Sequence, residues 1–289
     1  GIGRGIALAC AAQGANIVVA DYGVRIDGSE PSSEVAEAVV TEVESVGAEA
    51  IAITGDVSLM EVGQQIVDTA VDTWGRVDGV ACAAGIVRER MLFNMSEEEF
   101  DHVVSVHLKG HFTLFRAASA VMRKQEGGGS LLGFTSGAFV ASTAQANYSA
   151  AKGGVVSLTR SAAFALRRYG VTANCIAPAA TTRISENVPF EIEAGDPEDI
   201  ATLAVYILSD ASRDITAQIY TCTGSRIAVW NQPAELRHMW AQNDGVFTVD
   251  EIAERLPSTI GDEEMPMFGD LERRMQEMEN RNTGAGESG

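Results

Sequence analysis

The sequence is short of positive charge, of histidine and cysteine, and of long apolar runs, and each shortage narrows the field. Lys and Arg number 21 against 40 Asp and Glu, a formal net charge of −19. A surface this acidic repels a phosphate backbone, so nucleic acid is not an expected partner. No run reaches the roughly 18 apolar residues needed to span a bilayer, so no membrane partner is expected either. No basic region followed by an apolar stretch stands at the start, and a cytoplasmic location is expected. The four cysteines, Cys10, Cys82, Cys175 and Cys222, form no CxxC pair and read as buried free thiols of a reducing compartment. The four histidines are scattered without metal-ligand spacing, so no metal is expected.

What is present is a chain that is 46% hydrophobic, enough for a sizeable core. Strand-length apolar runs alternate with helical patterns. Strands are expected at Asn16–Ala20, Ala50–Thr54, Val77–Ala83, Leu131–Thr135, Thr172–Ile176 and Gln218–Thr223. Helices are expected at Ser33–Val46, Glu61–Trp74, Ser96 to about Lys124, Asn147–Arg168 and Pro197–Leu208. Apolar strands separated by helices predict an α/β fold, a doubly wound, Rossmann-like parallel sheet in three layers. After about Ala228 no further strand is expected; Thr248 and Glu251 have the spacing of a capping box. The chain thus divides into a dinucleotide-binding catalytic domain over 1–228 and an extension over 229–289 with a disordered end.

The opening GIGRGIALACAAQGANIVVAD reads as a glycine turn, a helix stopped by Gly14, and a strand ending in Asp21. Free N–H groups and the helix dipole at Gly1, Ile2 and Gly3 suit a pyrophosphate. Asp21 suits the ribose hydroxyls and repels a 2′-phosphate, which favours NAD over NADP. Its alternative reading is a solvated loop carboxylate. The strand that should precede such a loop, and the loop's first glycine, do not stand in the sequence. That strand belongs beside those near residues 18 and 80, so the chain is read as a fragment whose sheet lacks its first strand.

Residues 145–154, QANYSAAKGG, place Tyr148 and Lys152 on one side of a helix start. An ammonium beside a phenol favours tyrosinate and lowers its pKa. Such a tyrosine exchanges a proton with an alcohol or carbonyl oxygen. A surface helix pair has the same spacing, but here the pair follows a strand and a Ser/Thr-rich turn.

These motifs, with GDVS (Gly55–Ser58), CAAG (Cys82–Gly85), HLKG (His107–Gly110), TSG (Thr135–Gly137) and NCIAP (Asn174–Pro178), resemble the short-chain dehydrogenases/reductases over about residues 1–228. QANYSAAK is similar to 3-oxoacyl-carrier-protein reductases. The segment after Asp21 and VHLKG are similar to the 3-hydroxyacyl-CoA dehydrogenase domain of peroxisomal multifunctional enzyme type two. The resemblance implies hydride transfer between NAD and a small-molecule secondary alcohol or ketone, by a homo-oligomer, dimer or tetramer. It assigns Tyr148 as acid/base and Lys152 as the residue that tunes it and holds ribose. It places Asp56 and Val57 at the adenine, and Ala84 and Gly85 along the cofactor, with Pro178 and Thr181 on its phosphate side. Four departures follow. The family's serine position is divided between Ser136 and Thr135, with Ser136 fitting the TSG pattern better. CAAG lacks two side-chain amides of the usual motif, so any strand contacts they made must be replaced or lost. His107 stands where the family has its active-site Asn, as a relay partner of Lys152. Ala179 replaces the glycine after Pro178. A catalytically weakened scaffold subunit of the same fold is the alternative reading.

Overall fold

The computed structural model describes residues 1–25, 29–180, 195–230 and 247–255. They fall into two compact units, Gly1–Asn231 and Gln232–Gly289.

In the first unit α1 (Ile2–Ala12) buries Ile6, Ala7 and Ala11 on one stripe. It ends at Gly14, whose φ of 85° is cheap only for glycine. The chain continues through β1 (Ile17–Ala20), α2 (Glu34–Ser45), β2 (Ala50–Ile53), α3 (Met60–Trp74) and β3 (Gly79–Cys82). After α4 (Glu97–Val104) come α5 (Gly110–Met122), β4 (Gly129–Phe134), α6 (Ala146–Leu166), β5 (Val171–Pro178), α7 (Pro197–Leu208), β6 (Ile219–Thr223) and β7 (Arg226–Val229).

The strands β1 to β6 pair in parallel, and only the β6–β7 hairpin is antiparallel. β1 bonds to β2 in one sheet, and β3-β4-β5-β6-β7 form a second. Among the described residues, nothing pairs with the remaining edge of β1 or of β3.

Helices cover both faces of the five-stranded sheet. On one face α3, α5 and α6 pack Val67, Phe115, Met122 and Ala163 against Val80 and Leu131. On the other, α1 and α7 pack Ile6, Ile200 and Ile207 against Leu132 and Ile176. Each fully buried Leu, Ile or Phe contributes about 1.5–3 kcal/mol. β5 is buried on both faces along nearly its whole length, its polar Thr172 and Asn174 included.

The elements depart from the sequence expectations in two places. The single helix expected from Ser96 to about Lys124 is α4 and α5 separated by a π turn, Ser105–Lys109. Hydrophobic periodicity averages over such a one-residue insertion. A strand that was not expected, β7, closes a hairpin on β6 through Gly224. Its residues are all exposed, so no burial pattern marked it. On α5, Phe112 is 46% exposed and Phe115, three residues on, is 3% exposed.

In the second unit α8 (Val249–Arg255) carries the expected capping box. Glu251 N–H donates to Thr248 Oγ1 at 3.3 Å, and Thr248 N–H to Glu251 Oε2 at 2.7 Å.

Candidate active site

Apart from Gly1, Ile2 and Gly3, which open α1, and His107, in the π turn between α4 and α5, the candidate residues that the structure describes lie in or just beyond the carboxyl end of a strand, or on the helix that follows, where ligands bind in open α/β sheets. Asp21 follows β1, Asp56 and Val57 follow β2, and Ala84 and Gly85 follow β3. Ser136 follows β4, and Pro178 closes β5. Thr181 lies outside the described residues.

The cofactor candidates come first. α1 begins after Gly1 with no side-chain cap and no acidic residue in its first turn. Its first N–H groups therefore keep their partial positive charge for an anion. A Cβ on Gly3 would lie 3.7 Å from that of Ala83, so the glycine start lies against CAAG. Asp21 is exposed, and its Oδ1 accepts from Gly23 N–H at 2.6 Å. Asp56 Oδ1 accepts from Ser58 N–H at 2.8 Å. The Val57 carbonyl accepts from the Thr113 hydroxyl at 2.5 Å, so it ties the loop to α5.

The proton-transfer candidates meet on α6. Asn147 is fully buried and anchors the helix start. Its Nδ2 donates to Arg88 O at 3.0 Å and to Glu99 O at 2.9 Å, and its Oδ1 accepts from Tyr148 N–H at 2.8 Å. Lys152 is 4% exposed, and its Nζ lies 5.4 Å from the Tyr148 ring centroid. That ammonium donates to Phe134 O at 2.6 Å. Ser136, whose Oγ accepts from Ala138 N–H at 3.3 Å, lies near enough to the Tyr148 phenol to favour its ionised form. Thr135 is turned away, its buried hydroxyl donating to Lys152 O at 2.9 Å. Of the two hydroxyls left open by the sequence, Thr135 is thus engaged by the backbone, and Ser136 is the one that acts on the Tyr148 phenol.

His107 sits in the π turn, 2% exposed, its ring edge-on to Tyr148 at 5.0 Å between centroids. A Cβ on Gly85 would collide with this ring, so Gly85 makes room for His107. The contact of His107 Nε2 with Ile86 O, 2.8 Å, is shorter than that with Ile86 N, 3.3 Å. On that basis Nε2 is assigned the hydrogen, leaving Nδ1 a bare lone pair. Nδ1 is buried and has no partner among the described residues.

Burial dominates the electrostatics. It pulls Lys152 down to about 8. His107 is held well below its ordinary value, first by burial and then by the Lys152 charge. Tyr148 is raised by burial and only partly lowered by the nearby Ser136 side chain. The sequence led to the opposite expectation for Tyr148. Lys152 points its charge at Phe134 O rather than at the phenol oxygen, so desolvation wins.

Two contributors went unassigned in the sequence, Asn147 and His111. Both stood inside quoted or adjoining motifs, NYSAAK and HLKGHF, but nothing in their spacing told which backbone groups they would reach. A cavity of about 420 Å³, lined by Arg88, Arg90, Asn94, Ser96, Glu98, Glu99 and His102, contains none of the candidate residues.

A family model described as Enoyl-(Acyl carrier protein) reductase matches residues 1–224. A short chain dehydrogenase from Mycobacterium avium has the same fold at a TM-score of 0.81, with 40% identity, 92% of this chain and 93% of that one covered. The chain belongs to the short-chain dehydrogenase/reductase family. Hydroxyacyl-CoA dehydrogenase ChsB1 of Mycobacterium tuberculosis is 38% identical over 249 residues, 81% of this chain and 77% of that protein. Peroxisomal multifunctional enzyme type 2 of Mus musculus is 37% identical over 216 residues, 74% of this chain but 29% of that longer protein. As a member of this short-chain dehydrogenase/reductase family the chain is an oxidoreductase, of a kind that interconverts alcohols and ketones with NAD(P).

Proposed function

We propose that the chain interconverts a secondary alcohol and a ketone with NAD(H), on a 3-hydroxyacyl thioester or a similar hydroxy substrate, with Tyr148 exchanging the proton. One observation carries this: the Lys152 ammonium, 5.4 Å from the Tyr148 ring centroid, and the edge-on His107 ring pack around the same phenol, with Ser136 near enough to favour its ionised form. The hydroxyacyl class rests on the relative named Hydroxyacyl-CoA dehydrogenase ChsB1.

The residues present fit a dinucleotide. The uncapped, acid-free start of α1 suits a pyrophosphate, and the exposed Asp21 suits two ribose hydroxyls. Asp56, Val57, Ala84, Gly85 and Pro178 complete the row along the strand ends. When bound, NAD supplies the hydride acceptor, and the protein supplies orientation and electrostatics.

In the oxidative direction Ser136 holds the substrate oxygen while Tyr148 takes its proton. In the reverse direction the phenol gives that proton back, and Lys152 replaces it. With its value at about 8, Lys152 is mostly charged at neutral pH yet close enough to release a proton. His107 stays neutral, so its bare Nδ1 accepts a hydrogen bond and carries no charge of its own.

Tyr148→Phe keeps the ring packing and removes the exchangeable proton. Turnover of NAD with a 3-hydroxyacyl-CoA is expected to fall about 10²- to 10⁴-fold, with the fold intact by circular dichroism. Full turnover by this variant would refute the assignment.

A further inference from the structure

We propose that His111 is a positioning residue for the Tyr148–Lys152 pair: it holds the end of β4 so that Phe134 O faces Lys152 Nζ. The inference rests on the proton-transfer reading above and adds a residue to it.

The argument starts with the sheet. β3 pairs with β4 as far as Cys82↔Gly133 and supplies no partner beyond it. In a parallel ladder the N–H and C=O of one residue point to the same side. Thr135 N–H goes to Ile176 O on β5 at 2.9 Å, so both backbone groups of Phe134 point to the vacated β3 side. A buried, unpaired backbone group there costs about 1–3 kcal/mol.

Two side chains take the place of the strand. Phe134 N–H donates to His111 Nε2 at 3.0 Å, and Phe134 O accepts from Lys152 Nζ at 2.6 Å. Because Nε2 is the acceptor, the His111 proton sits on Nδ1, which donates to His107 O at 2.5 Å. His111 is 0% exposed, and burial together with the Lys152 charge lowers it to about 3, so the ring is neutral throughout the working range. A single imidazole thus locks together the ends of β4 and the π turn, which carry the acceptor of Lys152 and His107 respectively. It also meets a need the sequence exposed. CAAG lacks the side-chain amides of the usual motif, and His111 provides a strand contact from another element.

The groups facing Lys152 are Cys82 on β3, Cys175 on β5, His107 in the π turn, His111 on α5 and Tyr148 on α6. Burial pushes Cys82 up to about 12 and Cys175 up to about 11, and both histidines are lowered, so none of these four titrates near Lys152.

The test uses three variants of the full chain and the pH profile of kcat. His111→Leu removes both bonds. Its kcat is expected to drop about 10²-fold, the cost of a misplaced catalytic group, with KM for the acyl thioester unchanged. Its alkaline limb should move to lower pH, because an ammonium that loses its carbonyl acceptor gives up its proton more readily. His111→Gln offers an acceptor to Phe134 N–H and should recover most of kcat. His111→Asn keeps only a donor toward His107 O and should not. If the leucine variant does not fold, the glutamine and asparagine variants decide alone. A glutamine variant at least tenfold faster than the asparagine variant supports the proposal, and equal rates overturn it. A folded leucine variant with the parent's kcat and pH profile also overturns it. Tyr148→Phe run alongside separates the two readings. Lost turnover in that variant with unaffected His111 variants sinks only the positioning role, whereas full turnover sinks the proton-transfer reading itself.

Discussion

The two sheets of the first unit are built differently. In β4 and β5 nearly every residue is buried, and each strand has a neighbour on both sides. In β1 all four residues are only partly buried, and the strand has one neighbour. Helices α1 and α2 cover this smaller sheet through a separate cluster of Ala7, Ala11, Val39 and Val43. The proposed proton chemistry therefore stands on the part of the molecule whose backbone is most tightly determined. Asp21, the carboxylate proposed to select the nucleotide, stands at the end of the part that is least so. A two-stranded ribbon is marginal on its own and depends on the helices packed against it.

Truncations in the two sheets measure this difference. Leu132→Ala, in the fully buried centre of β4, is expected to lower unfolding free energy by about 2–5 kcal/mol in denaturant titration. Val18→Ala removes half-buried methyl groups from β1 and should cost about 1 kcal/mol. Equal losses would mean that the two sheets share one cooperative core, and the contrast would fail.

The large loss was foreseeable from sequence, because the parallel strands read as continuous apolar runs and α7 falls on its expected Pro197–Leu208. Periodicity reports which side of an element is apolar, and that sufficed for six strands and most helices. It does not report where a helix takes in one extra residue, so the π turn at His107 stayed hidden. An exposed edge such as β7 leaves no apolar pattern to read. In the candidate site, Tyr148, Lys152, Ser136 and His107 were legible because motif and spacing carry them. The direction of the Tyr148 shift was not, since it depends on where the Lys152 amine points. Nor was His111, whose two bonds reach Phe134, 23 residues away in sequence, and its own preceding turn.

The smallest effect on stability is expected at Asp21. It is exposed, and among the described residues its side chain bonds to the nearby Gly23 N–H alone, so Asp21→Ala should change stability by no more than about 0.5 kcal/mol. Its effect belongs to selectivity. The ratio of kcat/KM for NAD over NADP should fall about tenfold or more as repulsion of a 2′-phosphate is removed. An unchanged ratio would take nucleotide selection away from the smaller sheet.

The neutral imidazoles of His107 and His111 also give the fold an acid limit. Both are lowered in the folded chain, so below the unfolded histidine value of about 6.5 the unfolded state binds more protons. Stability from these two rings is fully present above that value and declines as pH falls. The loss is about 1.4 kcal/mol per pH unit for each ring. For His111 it continues until about pH 3, where the folded chain takes up the proton as well. Thermal melts from pH 7 to pH 4 should show a steepening fall in Tm that flattens when His111 is replaced by glutamine. The rings that keep the site in register at neutral pH are then the ones that set how far this enzyme can be acidified before it comes apart.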